Sequence, residues 1–285
     1  NNNIVAKDNG IFAQSYYTAN YDENKITLSG TNNSIEAGIS AIHADGFTTD
    51  VNLTAVANNS ISAGEILTDQ ETQLQYGKAY AVNALSGSTV TLDAGNANDV
   101  YGAVYANGTG KDEEGNDVPT TVTLDSANNI VKSYAVITGA GDLDQDETGE
   151  MTSAKVISAL YAEEGAAINV TGENYIGTYA VSDDPDLERV VWAYKDADIN
   201  IDGATTIKTD NYAKATNSKD IAIAAGTAVN LDYATVIKPV DLADRATVNV
   251  NYENYSDNSI SYISGDILSA YEGLVNINAK EGSNA

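Results

Sequence analysis

The chain has 285 residues, and its 41 acidic residues against 14 lysines and arginines give a formal net charge of −27. This charge argues against binding to nucleic acids and against docking on anionic membranes, because both need a basic surface. The lack of cysteine excludes a disulfide scaffold and a thiolate metal site. No apolar stretch approaches the roughly 20 residues that span a bilayer. We interpret residues 1–285 as one domain, excised from a longer protein.

A motif of an aliphatic residue, a Thr or Asn, and a second aliphatic residue recurs along the chain, on average about every 31 residues. Nine copies occur: Ile26-Thr27-Leu28, Val51-Asn52-Leu53, Val90-Thr91-Leu92, Val122-Thr123-Leu124, Ile168-Asn169-Val170, Ile199-Asn200-Ile201, Val229-Asn230-Leu231, Val248-Asn249-Val250 and Val275-Asn276-Ile277. Alternation of apolar and polar residues is typical of a strand with one buried face. We therefore expect nine strands of one kind, each with its Thr or Asn facing outward.

Two further short elements follow most copies in the same order. The second contains an Asn-x-Ile step, as in Asn33-Ser34-Ile35, and the third ends with an aromatic residue before Ala, as in Phe12-Ala13. Asn and Gly between the elements suit corners, since both tolerate left-handed backbone. One such unit cannot bury its own apolar side, whereas stacked units share a core.

These units predict an all-β fold, a right-handed parallel β-helix or solenoid with three short strands per coil and about nine coils. An antiparallel sandwich or barrel is the alternative for many short strands. It would not repeat one three-part unit in the same order along the whole chain.

Three charged insertions interrupt the repeat at Glu65–Tyr76, Asn107–Thr120 and Gly139–Ser153, and we expect them to protrude from one side of the rod. The last contains Asp142, Asp144 and Asp146, an alternation that resembles the start of a calcium-binding loop. Positions six and twelve of that pattern are Glu147 and Ser153 instead of Gly and Glu, so a solvated acidic loop is the alternative. No cofactor other than this candidate Ca²⁺ is indicated.

Aromatic residues precede Ala in most of the third elements. If Ala faces the core, the preceding ring faces outward. The predicted aromatic column comprises Phe12, His43, Tyr80, Tyr105, Tyr134, Tyr161, Tyr179, Trp192 and Tyr212. Stacking between neighbouring coils would explain these rings structurally, but rows of exposed rings also bind sugars and protein surfaces. We take the nine residues as candidate binding residues, with His43 as a surface aromatic residue.

Catalytic patterns are weak in this chain. A nucleophilic triad needs a general base close to the nucleophile, and His43 is the sole histidine. Carboxylates suited to glycoside hydrolysis or lyase chemistry are abundant, but most of them lie in the loops and not on the strand faces. We do not expect an enzyme, with a β-helical polysaccharide lyase or hydrolase as the alternative.

The repeat style resembles the passenger domains of type V autotransporters of Gram-negative bacteria. The steps that carry the resemblance are Asn59-Ser60-Ile61-Ser62-Ala63, Gly10-Ile11-Phe12-Ala13 and Ser88-Thr89-Val90-Thr91-Leu92-Asp93-Ala94, and the style covers nearly the whole chain. The Gly-Asp-Ser-Gly motif of protease passengers does not occur, because Gly141-Asp142 and Gly265-Asp266 lack the following Ser-Gly. The resemblance therefore implies an adhesin and not a protease.

The resemblance also implies a location and partners. We expect the rod to be displayed outside a bacterial cell, anchored through an outer-membrane barrel that is not part of this segment. Its expected partner is a host glycan or protein, or another copy of itself, as in biofilm formation. We expect neither nucleic-acid binding nor direct membrane insertion by this segment. A passive surface spacer, which binds nothing, is a further alternative.

Overall fold

The computed structural model describes residues 1–15, 23–68, 75–135, 158–180, 189–210, 221–225, 246–251, 262–263, 266–269 and 273–278. Every regular element in these ranges is a β-strand. The 23 strands are β1 Asn2–Ala6, β2 Asn9–Gln14, β3 Asn24–Ala37, β4 Ser40–Asp45, β5 Thr49–Ala63, β6 Ile66–Thr68, β7 Gln75–Gly77, β8 Tyr80–Leu85, β9 Thr89–Tyr101, β10 Ala103–Asn107, β11 Thr109–Lys111, β12 Asp117–Pro119, β13 Thr121–Ala135, β14 Leu160–Glu163, β15 Ala167–Ala180, β16 Arg189–Tyr194, β17 Asp198–Asp202, β18 Thr205–Asp210, β19 Ile221–Ala225, β20 Thr247–Asn251, β21 Tyr262–Ile263, β22 Asp266–Ser269 and β23 Leu274–Asn278.

Two large sheets contain most of these strands, and the chain alternates between them. Sheet 1 runs β1-β3-β5-β9-β13-β15-β17-β20-β23. Beside this path, β18 pairs with β15, β21 pairs with β18, and β7 pairs with β13 and with β6. Sheet 2 runs β2-β4-β8-β10-β14-β16-β19-β22. Neighbouring strands along both paths are parallel, so each passage through the two sheets is one coil, stacked on the coil before it. The predicted parallel β-solenoid is confirmed.

The repeated aliphatic motif lies in sheet 1 and is paired in register from coil to coil. Ile26 pairs with Val51, which pairs with Val90, and the same position continues through Val122, Ile168, Ile199, Val248 and Val275. Eight of the nine predicted copies therefore occupy one position of the coil. The ninth, Val229-Asn230-Leu231, lies outside the described residues, and Ile199 pairs directly with Val248.

The first and second predicted elements run on as one long strand in several coils. β3, β5, β9, β13 and β15 each have 13 to 15 residues and contain both the aliphatic motif and the second element. The register shifts between the two halves, for example between Gly30 and Asn32 of β3. The expected corner is therefore a bend within a strand, and we call this place the bend.

Aliphatic residues from both sheets form one core. Its largest fully buried side chains include Ile35, Leu53 and Leu92 from sheet 1 and Ile42 and Leu160 from sheet 2. Alanines such as Ala44 and Ala106 complete the interior. Small and β-branched residues suit this space because each coil contributes only a thin layer between two sheets.

Asparagines in the bend form a buried asparagine ladder, which comprises Asn33, Asn59, Asn98, Asn129 and Asn174. Each Nδ2 donates to the Oδ1 of the ladder asparagine in the next coil, at 2.9 to 3.0 Å. Asn2 donates into the ladder at Asn33, and Asn174 donates out of it to Oγ1 of Thr205. From the sequence we expect asparagine here because it tolerates the backbone conformation of a corner. In the structure, its side-chain amide makes the hydrogen bonds that join the coils.

The ladder amides also hold the backbone of the following coil. Nδ2 of Asn33 donates to the carbonyl of Thr54 at 3.2 Å, and Nδ2 of Asn59 donates to that of Asp93 at 3.1 Å. Asn129 makes the equivalent bond to Thr171 at 2.8 Å. Buried amides need hydrogen-bond partners, and the ladder provides them within the rod. Because each amide bonds to one particular residue of the next coil, the ladder also fixes the register between coils.

A second, outward-facing row contains the Thr and Asn residues at the centre of the aliphatic motifs. In the later coils it becomes a chain of side-chain hydrogen bonds, in which Asn276 donates to Asn249, Asn249 to Asn200, and Asn200 to Asn169. The predicted outward direction of this row is confirmed, since its members are half-buried or exposed, whereas most of the aliphatic residues beside them are buried.

Two of the predicted insertions contain short antiparallel hairpins. β11 and β12 form one within Asn107–Thr120, where Lys111 and Asp117 make an exposed ion pair. β6 and β7 form the other within Glu65–Tyr76. The third insertion, Gly139–Ser153, lies outside the described residues.

Candidate functional site

The outer face of sheet 2 carries a row of mostly aromatic residues, which we call the sheet 2 column. Its members are paired from coil to coil in the order Phe12, His43, Asn83, Tyr105, Tyr161 and Trp192. The alanine after each of them lies in the core. The inference that these aromatic residues lie on the outer face of their strands is therefore confirmed.

Tyr80 does not occupy the position that the sequence predicts for it. Asn83 stands in the column instead, while Tyr80 pairs with Ser40 and Ala103 at the start of β8. A register shift between Ala103 and Val104 separates the two positions. The ring of Tyr80 still stacks on that of Tyr105, with the centroids 5.1 Å apart.

Two other predicted members do not extend the sheet 2 column. Tyr134 and Tyr179 lie in sheet 1, where they pair with each other near the ends of β13 and β15. Both precede an alanine, so the aromatic–Ala step alone did not distinguish the two sheets. Tyr212 lies outside the described residues.

Rings of the sheet 2 column stack on one another along the rod. Phe12 and His43 are parallel at 4.9 Å, and Tyr161 and Trp192 are parallel at 4.4 Å. The ring of Phe12 is 54% exposed, but Tyr105 and Tyr161 are each only 9% exposed. The prediction of a continuous exposed platform is therefore wrong for the middle of the column. Rings spaced by one strand separation, about 4.8 Å, cover each other's faces.

Glu163 binds the phenols of two neighbouring coils. Its Oε1 accepts a hydrogen bond from Tyr105 and its Oε2 accepts one from Tyr161 at 2.5 Å, while Nδ2 of Asn107 donates to the Tyr105 hydroxyl at 2.8 Å. Burial raises the pKa values of Tyr105 and Tyr161 above the ordinary range, and the charge of Glu163 raises them further. Sequence reasoning missed Glu163, although its position two residues after Tyr161 places both side chains on one face of the strand.

The hydroxyl of Tyr80 is buried in this cluster without a hydrogen-bond partner. Burial also raises its pKa, and the nearby carboxylate of Glu163 adds to the effect. The Tyr80, Tyr105 and Tyr161 rings pack with Ala103 as a second apolar cluster on the outer face of sheet 2. This part of the column is a packed structure, whose phenols stay protonated.

His43 is held within the column by contacts with two other members. Its Nδ1 lies 3.1 Å from Nδ2 of Asn83, and its ring stacks on Phe12. Burial lowers the pKa of His43, and the charge of Asp45 only partly offsets that effect. These contacts give His43 the role of an aromatic surface residue.

A groove of about 640 Å³ crosses the outside of the bend in three successive coils, and we call it the bend groove. One side is lined by Ser29, Thr54 and Asp93, and the other side by Thr31, Val56 and Gly95. It forms where the bend is longest. Asn59 follows Leu53 by six positions and Asn98 follows Leu92 by six, whereas Asn33 follows Leu28 by five.

The bend groove was not predicted from the sequence. A signal was present, since the spacing from the aliphatic motif to the following asparagine is longer in these two coils than in the coil before them. The bends of β5 and β9 pair in register, with Ala55 beside Ala94 and Asn58 beside Ala97. Their extra residues, Val56 and Gly95, therefore stand side by side.

Within the described ranges, no group of three or more His, Asp or Glu side chains could hold a metal ion. The candidate calcium ligands Asp142, Asp144 and Asp146 lie outside these ranges and stay a prediction. The same part of the chain contains no helix that could cross a membrane.

Comparisons of this chain with protein-family models, with curated proteins and with solved structures give no match. The assignment as a parallel β-solenoid therefore rests on the paired sheets, the asparagine ladder and the stacked rings. The resemblance to autotransporter passengers remains an expectation from the repeat style.

Proposed function

We propose that the chain is a cell-surface adhesin segment of a bacterium, a β-helical rod that attaches to host cells, to neighbouring bacteria or to copies of itself. The observation that supports this proposal is the exposed aromatic end of the sheet 2 column. Phe12 presents more than half of its ring to solvent and is held by stacking on His43. An exposed ring on a rigid sheet suits a sugar or a protein surface, since little conformational freedom is lost on binding.

The partly exposed Trp192 marks the other end of the stacked rings. Its ring stacks on Tyr161 and lies 5.8 Å from Tyr194, whose ring in turn contacts the ammonium of Lys195. A charged group therefore lies beside the aromatic rings at this end of the column. We propose Phe12, His43 and Trp192 as the contact residues, and we assign the buried Tyr105 and Tyr161 to the support of the column.

The test compares two exposed apolar residues of the first coil. Microspheres coated with the segment should adhere to epithelial or bacterial cells, and soluble segment should compete. Phe12→Ser should reduce the adhesion several-fold, because it removes the exposed ring. Val5→Ser is the matched control, since Val5 is 69% exposed but lies in sheet 1, outside the column. Equal adhesion of both variants and the unmodified segment would contradict the assignment of the contact.

The coated microspheres and the soluble segment also test the two alternative functions, a passive spacer and a polysaccharide-cleaving enzyme. A passive spacer would give no more adhesion than microspheres that carry an unrelated acidic protein. A polysaccharide lyase or hydrolase would generate unsaturated or reducing ends from polysaccharides, with or without Ca²⁺. We expect competed adhesion and no new chain ends.

A further inference from the structure

The bend groove is a rigid surface because the asparagine ladder holds the backbone beneath it. The carbonyls of Ser29, Thr54 and Asp93 accept hydrogen bonds from Asn2, Asn33 and Asn59, at 2.9, 3.2 and 3.1 Å. The side chains of Ser29, Thr54 and Asp93 consequently project from fixed positions along one line. A site that is ordered before binding loses less entropy when a ligand arrives.

Four hydrogen-bonding side chains stand in the otherwise apolar lining of the bend groove, and no lining residue carries a positive charge. Ser29, Thr31 and Thr54 provide hydroxyls, and Asp93 provides one carboxylate, whose oxygens can accept from two neighbouring hydroxyls of a ligand. All four residues are exposed. A ligand with many hydroxyls and no negative charge matches this lining, whereas Asp93 and the net charge of −27 disfavour an anionic one.

The shape of the groove also favours an extended chain. The side chain of Val56 is 78% exposed and forms an apolar wall, opposite to the polar side at Thr54 and Asp93. Gly95 lets the bends of β5 and β9 approach closely, because a Cβ at this position would lie 2.3 Å from the carbonyl oxygen of Val56. The groove crosses three coils spaced by about 4.8 Å, a separation similar to the length of one sugar unit in a linear polysaccharide.

A peptide fits this surface less well. Ser29 pairs with Thr54, and Thr54 pairs with Asp93, so β5 presents no free strand edge to a peptide in the groove. Among the described strands the first half of β3 pairs only with β5, and its open edge faces away from β5 and β9. Recognition must therefore come from the hydroxyls, the carboxylate and the apolar wall.

We propose that the bend groove is a second binding site, which takes an uncharged linear polysaccharide. Thr54 and Asp93 bind the ligand's hydroxyls, and Val56 contacts the apolar face of a sugar ring. This site lies in sheet 1 at the bend, on different strands from the sheet 2 column. It does not depend on the proposed role in adhesion.

Two rungs of the same row allow a matched test. Asp125 pairs with Asp93, is equally exposed and lies outside the groove, and Thr171 follows Asp125 in the next coil. Asp93→Ala and Thr54→Val should weaken binding, by about tenfold for Asp93→Ala. Asp125→Ala and Thr171→Val should change the affinity by less than about twofold. Circular dichroism checks that all four variants fold, as expected for exposed positions.

The probes are cellotetraose, maltotetraose, mannotetraose and xylotetraose, with tetragalacturonate as the anionic comparator, measured by titration calorimetry and saturation-transfer NMR. We expect at least one neutral tetrasaccharide to bind and tetragalacturonate not to bind. The proposal is overturned if no neutral probe binds, if tetragalacturonate binds as tightly, or if Asp93→Ala and Asp125→Ala behave alike. Val5→Ser lies outside both proposed sites and should leave saccharide binding unchanged. Asp93→Ala should leave adhesion to cells unchanged, so loss of groove binding and loss of adhesion are separate results.

Discussion

At the scale of single residues, the buried amides of the bend determine how the coils stack. Asn59 is fully buried, receives a hydrogen bond from Asn33, and donates to Asn98 and to the carbonyl of Asp93. Its neighbour Asn58 has the same side chain but is only half-buried, and it donates to Asn32 at 3.2 Å. The two adjacent asparagines therefore differ in burial and not in residue type.

Asn59→Ala should lower the free energy of unfolding by about 3 kcal/mol, because it leaves buried donors and acceptors of two other coils without partners. Asn58→Ala should cost less than about 1 kcal/mol, since water replaces the lost bond. Urea unfolding of the two variants measures both values. Equal losses would show that the ladder does not contribute more than a surface hydrogen bond.

Removal of the hydroxyl should change the free energy of unfolding in opposite directions at Tyr80 and at Tyr105. Tyr80→Phe removes a buried hydroxyl that lacks a partner, so we expect the free energy of unfolding to rise by about 1 kcal/mol. Tyr105→Phe removes the donor to Glu163 and the acceptor for Asn107, so we expect a loss of about 2 kcal/mol. Thermal or urea unfolding decides, and a loss in both variants would contradict the unpaired state of Tyr80.

At the scale of the elements, the sequence predicts which strands stack on one another better than it predicts to which of the two sheets an aromatic residue belongs. The alternating aliphatic motif identifies eight rungs of sheet 1 correctly, because apolar periodicity reports directly on burial. The step from ring to alanine is less informative. It occurs at Tyr161 in sheet 2 and at Tyr179 in sheet 1, so local alternation is the same in both places.

The buried asparagines and Glu163 show the limit of local patterns. Asparagine is predicted at the bend because it suits a corner, yet its side-chain bonds depend on a residue 26 to 45 positions away. The hydrogen bond from Tyr105 to Glu163 likewise spans 58 positions. Contacts of this kind become visible only when the register between coils is known, and variable insertions obscure that register in the sequence.

The bends also depend on glycines that let neighbouring coils approach closely. Gly172 has a φ of +135°, and a Cβ there would lie 2.0 Å from the carbonyl oxygen of Ser126 in the preceding coil. Gly115, in the turn between β11 and β12, has a φ of +82° with no atom within 4 Å of such a Cβ. Both positions disfavour other residues, but only Gly172 adds a clash.

Gly172→Ala should therefore cost more than about 3 kcal/mol, since backbone strain and a backbone clash add. Gly115→Ala should cost about 1 kcal/mol, from the left-handed conformation alone. Urea unfolding compares the two variants. A similar small loss in both would mean that the coils can separate slightly at Gly172 without penalty.

At the scale of the whole molecule, the excess of acidic residues opposes the stacking of the coils. Like charges can lie in consecutive rungs, as Asp93 and Asp125 do on the outside of sheet 1. Neighbouring rungs lie about 4.8 Å apart, so such pairs repel. The net charge of −27 adds a diffuse repulsion that salt can screen.

The thermal midpoint should therefore rise by several degrees between about 10 mM and about 300 mM NaCl. Asp125→Asn should stabilise the rod at the lower salt concentration, because it removes one of two neighbouring charges. That gain should largely disappear at the higher concentration. Thermal unfolding followed by circular dichroism measures both effects, and a midpoint that does not depend on salt would contradict the role of repulsion.

The buried asparagine ladder has a direction, and this affects how such a chain can change in length. Each ladder asparagine accepts from the coil before it and donates to the coil after it. One coil of the ladder therefore needs one hydrogen-bond donor from the coil before it and one acceptor in the coil after it, and this holds for every coil. Duplication or loss of one whole coil would restore every bond, whereas a change of half a coil would leave buried amides unpaired. Each added coil would extend the rod by about 4.8 Å, so its reach could be adjusted in equal steps without a new fold.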